Sequence, residues 1–153
     1  MGTTSRAPAV IDALVALLQA APGLSGVTVF DGPTVTAASI RDLITVGWDG
    51  DDDNDEAVQS DQAWAGLGAK SKDETLLITC AAIAWRGETD VKPVRDRAYA
   101  LVGEVETALR SDPSLGFPPP TTVAFATGNA YQRQTDGGAE ARVVFTVAVQ
   151  TRI

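Results

Sequence analysis

A chain of 153 residues with 44% hydrophobic and 21% charged side chains has the composition of one globular domain. Twelve basic residues against twenty acidic ones leave a formal net charge of -8. The basic residues are scattered, which excludes a surface that grips nucleic-acid phosphates through a basic stripe. Histidine is absent, and with it the commonest general base and the commonest metal ligand.

In chain order, Val10, Ile11, Leu14, Leu17 and Leu18 recur at helical spacing behind Pro8. They predict a helix over Ala7–Ala21, stopped by Pro22-Gly23. The same stretch imitates a secretory leader, but Asp12 interrupts it and the run is too short to span a bilayer. A cytosolic setting without a membrane is expected. Val27–Phe30 reads as a short strand closed by Asp31-Gly32-Pro33, and Leu43–Trp48 as a second strand. Asp49–Glu56 is a polar loop, followed by a third strand over Gln59–Ala65.

Thr75–Trp85 is the central strand, apolar on both faces and therefore in need of cover on both. It carries the one cysteine, Cys80, which reads as a small buried hydrophobe. Two helices cover one face of such a sheet. The other face calls for a neighbouring subunit or for long loops of the same chain.

Thr89 or Asp90 caps a second helix in which Val94, Ala98, Leu101, Val105 and Leu109 form the apolar stripe. Ser111-Asp112-Pro113 ends it, and Phe117–Pro120 reads as an extended linker. A closing hairpin follows, with strands Thr121–Ala126 and Arg142–Arg152 and a polar loop over Gly128–Gly138. The order is α-β-β-β-β-α-β-β in a single domain, 1–153.

No motif for chemistry survives inspection. The run from Asp49 to Glu56 offers acids at the first, third and fifth places of a calcium loop. Asn54 stands where that loop needs glycine, and Ser60 where it needs the bidentate glutamate. Gly66–Ser71 resembles the end of a phosphate-binding loop, but Ala69 and Trp64 occupy the two required glycine positions. No catalytic residue, cofactor or metal is assigned, and the chain does not read as an enzyme.

The ordered pattern resembles the tail-terminator family of long-tailed, siphovirus-type bacteriophages. The residues that carry it are the opening helix with Ala21-Pro22-Gly23-Leu24, the strand Val27–Phe30 with Asp31-Gly32-Pro33, and Ile44-Thr45-Val46-Gly47. The hydrophobic strand Ile78–Trp85, the helix beginning near Val91 and the strand Arg142–Val147 complete it. The resemblance implies an α+β fold with a mixed, mainly antiparallel sheet and two helices on one face. It also implies a virion protein of the tail neck, assembled in the host cytoplasm as a six-fold ring. Such a ring caps the tail tube, meets the head–tail connector or stopper protein, and passes DNA without binding it specifically. On that reading the polar loops Asp49–Lys72 and Gly128–Gly138 meet the partners, through Trp48, Asp51, Asp52, Asp53, Asp55, Trp64, Tyr131, Arg133 and Asp136. The alternatives are another head–tail joining protein, such as a tail-completion subunit, or a small-ligand or metal-binding α/β module.

Overall fold

The computed structural model describes residues 4–34, 40–68 and 70–153. Ala69, which figured in the rejected phosphate-loop pattern, lies outside the described residues. Helix α1 (Ala7–Ala20) buries Val10, Leu14, Val15 and Leu18, and a 3-10 turn at Pro22–Leu24 follows it. Helix α2 (Val91–Ser111) starts at Asp90, whose carboxylate accepts the Lys92 N–H at 3.1 Å. Its buried face runs from Val94 through Ala98, Leu101 and Val105 to Leu109, as the spacing predicts.

Six strands form one mixed sheet: β1 (Thr28–Asp31), β2 (Asp42–Val46), β3 (Val58–Trp64), β4 (Lys72–Arg86), β5 (Thr122–Thr135) and β6 (Gly138–Arg152). The order is β1-β2-β4-β6-β5, and β3 also pairs with β4. Only β1 and β2 run parallel among the described pairs. The α+β class, the element order and the two helices on one face are as the sequence predicts.

Helix α2 packs on the face made by Leu76, Ile78, Cys80 and Ala82 of β4 with Val143, Phe145, Val147 and Val149 of β6, and α1 lies over β1 and β2, the buried residues of both helices joining one core. Full burial of a leucine such as Leu14 or Leu18 contributes about 1.5–3 kcal/mol, more than one cap. Packing therefore holds α1, which has no side-chain cap from Arg6. Burial pushes the Cys80 thiol up to about 12, so this group behaves as core filler.

A remote carboxylate replaces the missing cap. Glu74 of β4, 1% exposed, accepts the Arg6 main-chain N–H at 2.8 Å and the Ser5 hydroxyl at 2.5 Å. Ser60 and Gln62 of β3 donate to it at 2.7 and 2.9 Å. Burial alone raises the pKa of such a carboxyl. The four hydrogen bonds outweigh that effect and hold it below the ordinary range.

Four expectations need correction. The stretch Gly128–Gly138 is not a loop: β5 runs to Thr135, and Asp136-Gly137 turns directly into β6. Its pairing is set by β6, which is locked against β4, so β5 extends as a strand without burying a face. Nor is Asp49–Lys72 one loop. Strand β3 occupies Val58–Trp64, where the sequence predicts a third strand over Gln59–Ala65, and leaves two separate connections, 47–57 and 65–71. The strand expected to reach Trp48 stops at Val46, because Gly47 takes a φ of +82° and turns the chain away. After α2, Phe117 is not a free linker residue but packs against the core, with Arg6 stacked over its ring.

Candidate functional site

Strands β2 and β3 lie end to end along the same edge of β4. The Gly47 N–H donates to the Thr79 carbonyl at 2.7 Å, and the Thr79 N–H donates to the Ala57 carbonyl at 3.0 Å. One residue of β4 thus holds both ends of the excursion 48–56, which carries the acidic run. The chain leaves the ladder, crosses the sheet face opposite the helices, and returns.

The excursion is fastened to that face. Thr45 donates its hydroxyl to the Trp48 carbonyl at 2.7 Å, and the Trp48 indole N–H donates to the Asp51 carbonyl at 3.1 Å. The Arg142 guanidinium donates to the Asp49 carbonyl at 2.5 Å and stacks over the Tyr131 ring, 4.8 Å from its centroid. Trp48 is 5% exposed, and Leu43, Ala81 and Ile83 form a small second core with Phe30 and Ile40, against which Gly50 of the excursion lies. Here, a loop of the same chain covers the second apolar face. Farther along, Leu77, Val144 and Ala148 stay half-exposed.

Between the excursion and the β5–β6 hairpin lies a groove of about 560 Å³, with Trp48, Leu43, Ile83 and Trp85 among its walls. An adjoining recess of about 430 Å³ shares Gly50, Asp52, Arg133 and Glu140 with it. Arg133 is paired with Glu140 at 2.8 Å. Around these recesses stand the carboxylates of Asp51, Asp52, Asp53 and Glu140 against the two guanidiniums of Arg133 and Arg142.

The acids do not converge. Asp49 accepts the Asp51 N–H at 2.8 Å and Asp51 accepts the Asp53 N–H at 3.0 Å, successive local turns that point carboxylates at backbone. Among the described residues no group of three or more His, Cys, Asp or Glu is placed to hold a metal ion.

Of the residues singled out in the sequence, Trp48, Asp51, Asp52, Asp53, Tyr131 and Arg133 meet at this groove. Trp48 serves as a wall and a packing residue, not as an exposed contact. Asp55 is exposed on the excursion, and Asp136 sits at the hairpin turn. Trp64 stands apart, 65% exposed beside the β3–β4 connection, with the Lys72 ammonium 5.3 Å from its ring centroid. Ile83, Trp85, Glu140, Arg142 and the fully exposed Leu67 were not singled out by the sequence. The alternation of β6 marks Arg142 as outward-facing, but nothing local shows that it clamps the excursion.

Among the described residues no helix is long and apolar enough to cross a membrane. At the edge of the groove-bearing sheet, Asp42 binds Arg86 at 2.8 Å and Arg97 at 3.1 Å, tying β2, β4 and α2 together.

No protein-family model matches the chain, and no curated protein matches it. A solved structure does: a chain in the virion of native gene transfer agent (GTA) particle. The match has a TM-score of 0.63 at 12% identity and covers 99% of this chain and 100% of that one, so the two share a fold from end to end.

Proposed function

We propose that this chain is a structural virion protein that caps a phage tail tube and joins the tail to the head connector. The observation that carries the reading is the end-to-end fold match to a chain of a gene transfer agent virion. The match covers both chains almost completely, which supports a virion part of the same build rather than a module borrowed for another task. Its specific place, at the tail end, draws on the sequence resemblance to tail terminators. A second head–tail joining role, such as a stopper, is supported by the same fold match and differs only in its neighbours.

As a six-fold ring, six copies at -8 each carry -48. Like charge facing a central passage discourages DNA phosphates from sticking, so the lumen should be net acidic. The test is electron microscopy of purified tail tubes with and without the chain. Rings of this protein on one end of each tube, with tubes of uniform length, support the cap. Tubes that bind no ring and keep growing overturn it.

A further inference from the structure

We propose that the tip of the β3–β4 hairpin in one copy of this chain seats in the Trp48–Trp85 groove of a second copy. The tip presents Trp64 at 65% exposure and Leu67 with no shielding at all. Gly66 and Gly68 on either side of Leu67 have open space where a side chain would stand, so Leu67 projects alone. Two large apolar side chains displayed this way mark a contact surface.

The groove offers the matching chemistry. Its walls include Trp48, Leu43, Ile83 and Trp85, and its rim carries Asp52 and Glu140. Two of the chain's three lysines, Lys70 and Lys72, flank the tip, and the sequence from Trp64 to Lys72 has no acid. The rim with its adjoining recess sets four carboxylates against two guanidiniums, one of them already paired to Glu140. A cationic, apolar tip thus faces an acidic, apolar-walled groove.

One copy cannot make this contact with itself. Lys72 and Ile83 lie on the same strand, separated by roughly 37 Å at about 3.4 Å per residue. A contact between tip and groove is therefore made between copies, head-to-tail. Contacts of that kind close into rings when the rotation allows. The inference rests on the ring reading for its role, but on the chain alone for its test.

The experiment mixes two full-length variants, Leu67→Cys and Asp52→Cys, and follows disulfide formation between copies. Both positions are exposed, so neither change disturbs the core, and the native Cys80 is buried. The mixture is expected to cross-link about tenfold faster than either variant alone, because docking raises the local thiol concentration. Adding Trp64→Ala to the Leu67→Cys chain should remove that advantage, and added salt should reduce it. Equal rates in the mixture and in the separate variants overturn the proposal, as does an advantage that survives Trp64→Ala. Cross-linking needs no tail tube. A failed tip contact with rings still present on tubes sinks this inference alone, while tip cross-linking without tube capping sinks only the terminator reading.

Discussion

Gly50 lies against Ile83 so closely that a β-carbon added at Gly50 would come within 2.9 Å of the Ile83 δ-methyl. The same atom would lie 2.9 Å from Cδ of Arg142, and Gly50 holds a φ of +81°. The excursion therefore lies flat on the second face only because this residue has no side chain. Gly50→Ala should cost about 1–2 kcal/mol from the left-handed backbone, with a further part from displacing Ile83 or Arg142. Gly32→Ala provides the control, since Gly32 has a φ of +82° with open space around it. Denaturant titration should show a larger loss for Gly50→Ala, and equal losses would mean that the excursion does not press on the sheet.

Glu74 gathers Ser5, Arg6, Ser60 and Gln62, and so ties α1 and β3 to the middle of the fold. Glu74→Ala leaves those donors without their acceptor. Water reaches some of them, which limits the expected cost to about 2–3 kcal/mol. The folded carboxyl has a pKa below the ordinary 4.5, so the folded state binds fewer protons than the unfolded chain across that window. Its stabilisation is complete above 4.5 and declines as pH falls through the lowered folded value. Glu74→Gln should flatten this acid limb of the stability curve. An unchanged limb would remove Glu74 from the account.

Asp42 makes the second such tie, to Arg86 and Arg97. Burial works to raise its pKa, and the hydrogen bonds and charges of the two arginines overcome this, leaving it below 3.8. Asp42→Asn should cost about 1–2 kcal/mol, between the value of an exposed pair and that of a buried one. The loss should be complete above 3.8 and shrink as pH falls through the lowered folded value, where the native carboxyl also gains its proton. Chemical denaturation at neutral and acid pH measures both parts. A loss that is the same at both would assign the effect to packing.

The helices and the central strand are legible in the sequence because their apolar residues face a core and repeat with the period of the element. Val94, Ala98, Leu101, Val105 and Leu109 lie on the buried face of α2 for that reason. The stretch Gly128–Gly138 gives no such signal. From Ala126 to Gln134 the strand is exposed on both faces, and its conformation comes from hydrogen bonding to β6. The acidic run is legible as charge but not as placement. Arg142, which clamps it, stands 93 residues from Asp49, and such a contact leaves no local pattern. Glu74 is hidden similarly: its partners Ser5 and Arg6 are 69 and 68 residues away. Trp48 and Trp64 look alike beside the acidic run, yet β3 carries Trp64, exposed, to the far end of β4, whereas Trp48 is buried at the start of the excursion.

These placements divide the acidic residues into two groups with different expected behaviour. Asp49 and Asp51 hold the turns of the excursion, and the Asp51 carbonyl accepts the Trp48 indole. Asp52, Asp53 and Asp55 are exposed. The triple variant Asp52→Asn, Asp53→Asn, Asp55→Asn should keep stability within about 0.5 kcal/mol of the native chain, since no buried group loses a partner. Under the neck reading the same variant should impair joining of heads to tails, because it removes charge that faces a partner. Deleting 51–55 outright is the poorer probe, because it also strips Trp48 of its acceptor and uncovers Ile83. In a joining assay with purified heads and tails, the triple variant at native efficiency would show that the exposed acids meet no partner. The excursion would then serve only to cover the second face of its own sheet.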